Sequence, residues 1–409
     1  MKNQNNDNRE QIKKGKNIDT EKKNSAKEKF LSVFSNYSMI IILAFVLVIF
    51  QILTKGVLFR PLNITNLILQ NSHIIVLSIG MLLVVLLGHV DLSVGSIVAV
   101  VGAISSILII KYEMNPILGI ILCLLIGALI GAWNGFWVAY VGIPAFIVTI
   151  AGMLLFRGLT QIILKGTSIA GYPESFQYLS TGYLPNIGNG ELHITTILIS
   201  LGVMILLVAS FYRNRKMKIE NNMKVEAFSL FILKCLALIV ILGIMTFLFA
   251  SYQGFPFVLL IIVILAGFYS FLTQRMVTGR HIYATGGNIK SAELSGIKTK
   301  KITFLVFVNM GLLAALAGLI LASRLNAATP QAGMGLETDA LSAVYFGGAS
   351  TSGGIGTISG TIIGGLIMGI LNNGMSIIGI GVDWQQGIRG LILLFAVVLD
   401  KYNQKRKTK

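Results

Sequence analysis

Charge is what this 409-residue sequence has least of: 12% of its residues are Asp, Glu, Lys or Arg, while 55% are hydrophobic. Soluble domains carry about twice that share of charge, so a water-soluble globular fold is excluded. Cysteine is scarce too. Cys123 and Cys235 both lie inside apolar runs, which excludes a disulfide framework and leaves them to fill space between helices. The four histidines, His73, His89, His193 and His281, are far apart, and no HExxH or paired-Cys motif occurs, so no metal site is expected. A GxSxG elbow and a GxxxxGK[ST] phosphate loop are also missing. Residues 347–356, GGASTSGGIG, have the glycines without the lysine that would reach a phosphate. The chain is therefore expected to be no enzyme, to carry no cofactor and to hydrolyse no nucleotide by itself.

What the sequence does have is apolar length. Its mean hydropathy is +0.80, and many runs approach the roughly 20 residues that a helix needs to cross a hydrocarbon layer about 30 Å thick. Strands of a membrane barrel would be shorter and would alternate apolar with polar residues, which these runs do not. The expected fold is an all-α polytopic membrane protein of about 10 to 12 transmembrane helices, with a half-helix or re-entrant piece near the C-terminal third.

The formal charge of +17 is placed by topology. Of 33 Lys and Arg, nine precede the first run, five lie between Arg213 and Lys224, six between Arg275 and Lys301, and five follow Asp400. All four groups fall on one side when the runs are threaded alternately, which is the positive-inside pattern. The charge thus reads as orientation and contact with anionic membrane lipid, with no nucleic acid partner. Residues 1–35 read as a disordered basic cytoplasmic tail, 36–400 as the membrane domain with a cytoplasmic loop at 274–301, and 401–409 as a second cytoplasmic tail. No convincing signal-peptide cleavage site precedes the first span.

In order, spans are expected from Tyr37 to Leu53, from Asn66 to Leu87, and from a tight turn at Gly88–Ser96 to Ile110, with Asp91 capping the third. Pro116 opens the fourth, whose Gly127, Gly131 and Gly135 leave one face bare for a neighbouring helix. Gly142 and Pro144 break the chain before a fifth span that ends near Leu164. The segment from Lys165 to Leu192 is the longest external loop and too short for a separate binding domain. Spans follow at His193–Tyr212, Ala227–Ala250, Phe255–Leu272 and Ile302–Ser323, and Arg324–Glu337 is a polar external segment. The remainder holds a short apolar piece from Ala340 to Phe346, then spans at Ile358–Ile378 and Gln386–Leu399.

Between two long apolar runs lies a polar island, Tyr283–Ile297, YATGGNIKSAELSGI. Asn288 is a good helix N-cap, Ile289 to Ser295 suffice for about two turns, and Gly296 supplies the left-handed residue that ends them. So short a helix is marginal alone in water and must be held by the rest of the chain or by a partner.

Charges within spans are few: Arg157 mid-span, Arg389 near an external helix start, and Lys234 within snorkelling reach of a face. Asp91, Glu337, Asp339, Asp383 and Asp400 all lie at or near segment ends, which argues against ion coupling and for an external energy source. Neutral polar residues are available instead. Gln70, Asn71, Asn134, Asn309, Asn372 and Asn373, with Trp133 and Phe136, could line a route for an uncharged hydroxylated solute. Any one of them taken singly reads first as a helix-to-helix hydrogen bond.

Four stretches, GHVDLSVGS, YATGGNIKSAELSGI, LETDALSAVYFGGASTSGGIGTISGTIIG and ILNNGMSIIGIGVDWQQGIRGLILLFAVVLD, resemble the permease subunits of bacterial ABC importers for monosaccharides, the ribose and xylose class. The resemblance spans roughly Asn66 to Lys401. The extra pair of spans between about His193 and Ala250 looks more like the xylose or multiple-sugar permeases. The resemblance implies a pair of permeases in the bacterial inner membrane, a second copy of this chain serving as the other, with both termini cytoplasmic. It also implies a cytoplasmic ABC ATPase subunit and an extracytoplasmic sugar-binding protein. By the same analogy Gly286, Gly287, Asn288, Ala292, Glu293, Leu294, Ser295 and Gly296 form the coupling helix that docks on the ATPase. The chain departs from the family's usual residues at His89 and Thr351. An ion-coupled secondary sugar transporter is the alternative, and the scarcity of carboxylates within spans counts against it.

Overall fold

The computed structural model describes residues 39–407 apart from 189–191, 224 and 226. The expected tail at 1–35, the start of the first span at Tyr37 and the end of the C-terminal tail lie outside them. The described chain is all-α but for one two-residue ladder, β1 (Ile169–Ala170) antiparallel to β2 (Ala327–Ala328). Among the described residues nine helices are long and apolar enough to cross a membrane, so the protein is an all-α polytopic membrane protein.

Local chemistry starts and stops these helices much as the sequence suggests. After α1 (Met39–Leu53), α2 (Pro61–Leu86) opens on a proline whose missing N–H costs nothing at a helix start. α3 (Val94–Ser105) runs on through a wider π-turn to Lys111. α4 (Pro116–Phe136) is capped by the Asn115 side chain, which accepts from the Ile117 N–H. Gly142 and Pro144 separate it from α5 (Ala145–Leu164). The loop that follows contains a short helix, α6 (Glu174–Thr181), held to the body by buried Phe176 and by the Ser180 N–H donating to the Ser323 hydroxyl at 3.1 Å.

α7 (Ile194–Glu220) is longer than expected. The basic cluster from Arg213 to Lys218 belongs to its last turns and not to a loop after Tyr212. The long stems of these side chains suit a helix end at a membrane face. α7 and α8 (Phe228–Ala250) stand at the periphery, with few of their residues buried. α9 (Phe257–Arg275) leads to α10 (Val277–Gly287) and α11 (Ile289–Leu294), and α12 (Thr299–Leu325) returns. Then come α13 (Leu336–Phe346), α14 (Ile358–Ile377), capped by Thr357, and α15 (Val382–Lys407). At 11 residues, α13 crosses about half the hydrocarbon thickness and is tolerated because it is buried among other helices.

The core is built on α2, α12 and α3. Most of α2 from Asn71 to Leu86 is buried, and α12 buries a continuous series from Leu313 to Ser323, broken only at Leu316. The bare stripe of α4 lies against α12: a Cβ on Gly127 would meet the Gly311 carbonyl at 2.6 Å, and one on Gly135 would meet the Phe304 carbonyl at 3.0 Å. Close backbone approach is what small residues at helix interfaces provide in a membrane.

One expectation is corrected. Residues 87–93 are not a tight surface turn: they run as non-helical chain back into the body, and α3 starts beside the middle of α12, with Val98 level with Gly318 and Gly102 with Ala322. Nor does Asp91 cap α3 directly. Its carboxylate accepts from the Ser93 N–H at 2.9 Å and the Ser93 hydroxyl at 2.6 Å, and Ser93 is the residue at the cap. Buried irregular chain must satisfy its own polar groups, and an Asx turn does so locally.

Candidate functional site

The polar island forms an elbow. Asn288 is extended (φ −160°, ψ 105°), breaks α10 from α11, and caps α11 by accepting from the Ser291 N–H at 3.0 Å. Gly286 and Gly287 are the last residues of α10, a helix the sequence reading did not assign because its polar residues mask the period. After α11, Gly296 takes φ +81°, a conformation glycine adopts without steric cost. The Ser295 hydroxyl donates to the Ser291 carbonyl at 2.8 Å. The Glu293 carboxylate accepts from the Thr299 hydroxyl at 2.7 Å, tying the elbow to the first residue of α12. Ala292 faces inward at 4% exposure and Leu294 outward at 91%.

The inner side of the elbow is fused to two other breaks in the chain. A Cβ on Gly286 would overlap the Leu86 carbonyl oxygen at the end of α2. That same carbonyl accepts from the Gly354 N–H at 2.9 Å. A Cβ on Gly353 would meet both the Gly286 carbonyl and the Gly88 N–H at 2.9 Å. The Tyr283 hydroxyl donates to the Gly356 carbonyl at 2.6 Å, and burial pushes its pKa up, so it stays a protonated donor. Three connections, α2–α3, α10–α11 and α13–α14, therefore meet backbone to backbone.

The polar residues singled out from the sequence fall into separate groups. Gln70, Asn372 and Asn373 come together: the Asn373 amide donates to Gln70 Oε1 at 3.5 Å, its oxygen accepts from Asn63 at 3.1 Å, and Asn372 donates to Asp339 at 3.4 Å. Asn71 donates to the Leu67 carbonyl of its own helix at 2.8 Å and lies against Gly369. Asn134 donates to the Ser93 hydroxyl at 2.9 Å, joining α4 to the α2–α3 break. Asn309 accepts from the Tyr269 hydroxyl. Trp133 and Phe136 are about half exposed and stack edge-on against Trp137. Trp133 is two residues from Gly131 and Gly135, so it lies on the opposite face of α4 from the one against α12.

The charged residues are better placed than their sequence positions suggest. Arg157 donates to the Ala332 carbonyl at 2.7 Å and the Pro330 carbonyl at 3.4 Å, fastening the segment before α13 to α5. Glu337 lies against Gly95 in the first turn of α3, where the helix dipole favours an anion. Asp339 stands at a helix start as expected, yet it is buried and paired with Arg389 at 3.4 Å. A half-helix has its end inside the protein, which linear position alone does not show.

This construction is a polytopic bundle of apolar helices interrupted by irregular chain breaks and a capped elbow. The chain belongs to the family described as "Branched-chain amino acid transport system / permease component", whose model matches residues 63–215 and 190–397. Among curated proteins it is 37% identical over 371 residues to the xylose transport system permease protein XylH of Haemophilus influenzae, covering 90% of this chain and 97% of that one. It is 36% identical to XylH of Escherichia coli K12 over 90% of this chain and 92% of that protein. The ribose import permease protein RbsC of Escherichia coli K12 is 34% identical, over 84% of this chain and 86% of its own length. No solved structure gives a significant match.

Proposed function

We propose that this chain is the membrane-spanning, non-catalytic subunit of an ATP-driven importer in a bacterial inner membrane, and that its cargo is a monosaccharide, xylose-like or of several kinds. Both termini and the α10–α11 elbow face the cytoplasm, as the clustering of basic residues on that face supports. A separate ABC ATPase grips the elbow through Leu294, in the setting formed by Gly286, Gly287, Asn288, Ala292, Glu293, Ser295 and Gly296. An extracytoplasmic sugar-binding protein delivers the cargo to the opposite face. A second copy of the chain completes the path. Gln70, Asn372 and Asn373 lie beside that path, while Asn71, Asn134 and Asn309 hold helices around it and Trp133 stands on the outer face of α4.

The observation that carries this reading is the elbow: an exposed leucine on a capped turn whose other side packs backbone to backbone against two other chain breaks. When two ATPases close on ATP, such an elbow transmits their motion to the segments before α3 and α14, opening one side of the path as it closes the other. The relatives named for xylose and ribose transport support the sugar assignment.

The test is uptake by proteoliposomes that hold the permease with a cognate ABC ATPase and sugar-binding protein. Labelled xylose or ribose is expected to accumulate only with ATP inside the compartment bearing the ATPase, and to go on accumulating when ionophores abolish every ion gradient. Uptake that needs a gradient and ignores ATP would overturn the assignment.

A further inference from the structure

The buried polar groups of α13, α14 and α15 are incompletely satisfied at one place. Among the described residues eleven buried side-chain polar atoms have no hydrogen-bond partner. Four of them are Asp339 Oδ1, Ser342 Oγ, Asn372 Oδ1 and Arg389 Nε. Three of these residues already touch one another, through the Asp339–Arg389 ion pair at 3.4 Å and the Asn372–Asp339 bond at 3.4 Å. Ser342 is three residues on from Asp339 and so on the same face of α13. Leaving such an atom unpaired is unfavourable, and three around a single ion pair, with a fourth on the same face of α13, are poorly explained as packing.

Their chemistry is specific. Asp339 is 1% exposed, in the first turn of an 11-residue helix that starts inside the protein. Its free oxygen and that of Asn372 accept hydrogen bonds, Arg389 Nε donates one, and the serine hydroxyl does either. The two formal charges are spent on each other, so an ion offered to the pair meets one attractive and one repulsive partner. Adjacent hydroxyls on a neutral ring, each able to donate and accept, match two acceptors and a donor. Access is polar as well: Asn63, in the first turn of α2, bonds Asn373, Asn373 bonds Gln70, and Asn373 adjoins Asn372. That series leads inward from the outer end of α2.

We propose that Asp339, Asn372 and Arg389, with Ser342 on the same face of α13 as Asp339, form a transient binding site within the path for a neutral polyhydroxylated solute. The site selects by hydrogen bonding after the binding protein has released its cargo. The inference rests on the sugar-import reading above.

It is tested in proteoliposomes of the complete importer with saturating, sugar-loaded binding protein, so that the binding protein's own affinity is not what is read. Asp339→Asn and Asn372→Leu are each expected to lower the sugar imported per ATP hydrolysed by about tenfold, while stimulated ATP hydrolysis stays within about twofold of wild type. Wild type is expected to import a mono-deoxy pentose more slowly than the parent sugar, and the variants to narrow that ratio. A purely structural ion pair would not change the ratio. Asn372 contributes a single long bond to the fold, so Asn372→Leu remains informative if Asp339→Asn fails to assemble. Thr361→Val, which removes another unpartnered buried hydroxyl of α14, is expected to behave as wild type. Unchanged sugar-to-ATP and deoxy-to-parent ratios in Asn372→Leu would overturn the site. Wild-type vesicles that hydrolyse ATP but import no sugar would instead overturn the functional reading on which it depends.

Discussion

Replacing Leu294 with alanine isolates the contact between elbow and ATPase, because the side chain does nothing for the fold. It is 91% exposed, on the last residue of a turn capped by Asn288 and tied down by Glu293. Removing it should leave the thermal midpoint of the isolated permease unchanged, since surface positions of this kind shift stability by no more than about 0.5 kcal/mol. If the leucine enters a groove on the ATPase, alanine forfeits three carbons at about 0.8 kcal/mol each, or about 2.4 kcal/mol. That is a loss of roughly 60-fold in affinity per elbow. The measurement is titration of ATPase onto nanodisc-held permease, with ATP hydrolysis stimulated by loaded binding protein recorded in parallel. Leu206→Ala, a 71%-exposed leucine on peripheral α7, serves as the control and should change neither. An affinity for Leu294→Ala within about threefold of wild type would refute the docking argument, because burying the whole side chain in a groove predicts a loss many times larger.

Three further outcomes follow from the junction beneath the elbow and from α5. Gly286→Ala puts a Cβ into the Leu86 carbonyl and should destabilise the permease by about 1–3 kcal/mol while impairing coupling; Gly287→Ala, whose Cβ would meet nothing within 4 Å, should not lower the thermal midpoint. Tyr283→Phe strands the Gly356 carbonyl and should lower the thermal midpoint by the equivalent of about 1 kcal/mol. Because burial holds that phenol above its ordinary value of about 10, wild-type coupling should show no titration from Tyr283 between about pH 7 and 9. Arg157→Met removes a cationic donor from the Ala332 and Pro330 carbonyls and should cost about 1.5–3 kcal/mol. The loosened segment before α13 should be read as faster hydrogen exchange at residues 327–335.

The elbow was legible because its signals are local. An Asn three residues before a serine N–H, and a glycine where the chain must turn left-handed, identify themselves in one sequence. The glycine stripe of α4 was legible for the same reason, since spacing by four fixes a face on any helix. α10 was missed because its buried positions, Gly279, Ile282 and Thr285, do not stand out among Arg, His and Tyr. The depth at which α3 begins was missed because it depends on which residues of α12 it meets, and that of α13 because it depends on packing against α2, α14 and α15. The joining of Asp339 to Arg389 across fifty positions has no local signature at all.

By itself, then, the sequence determined the class of protein and the elbow between α9 and α12. Each of these follows from composition, apolar length or the chemistry of neighbouring residues. Tertiary structure alone decided that three chain breaks meet backbone to backbone at Gly286, Leu86 and Gly354. It also decided that two carboxylates lying at helix starts in the sequence, Glu337 and Asp339, stand inside the bundle. Helix ends read from sequence sit at a membrane face by default; only packing against other helices, for α13 chiefly α2, α14 and α15, can place one in the interior.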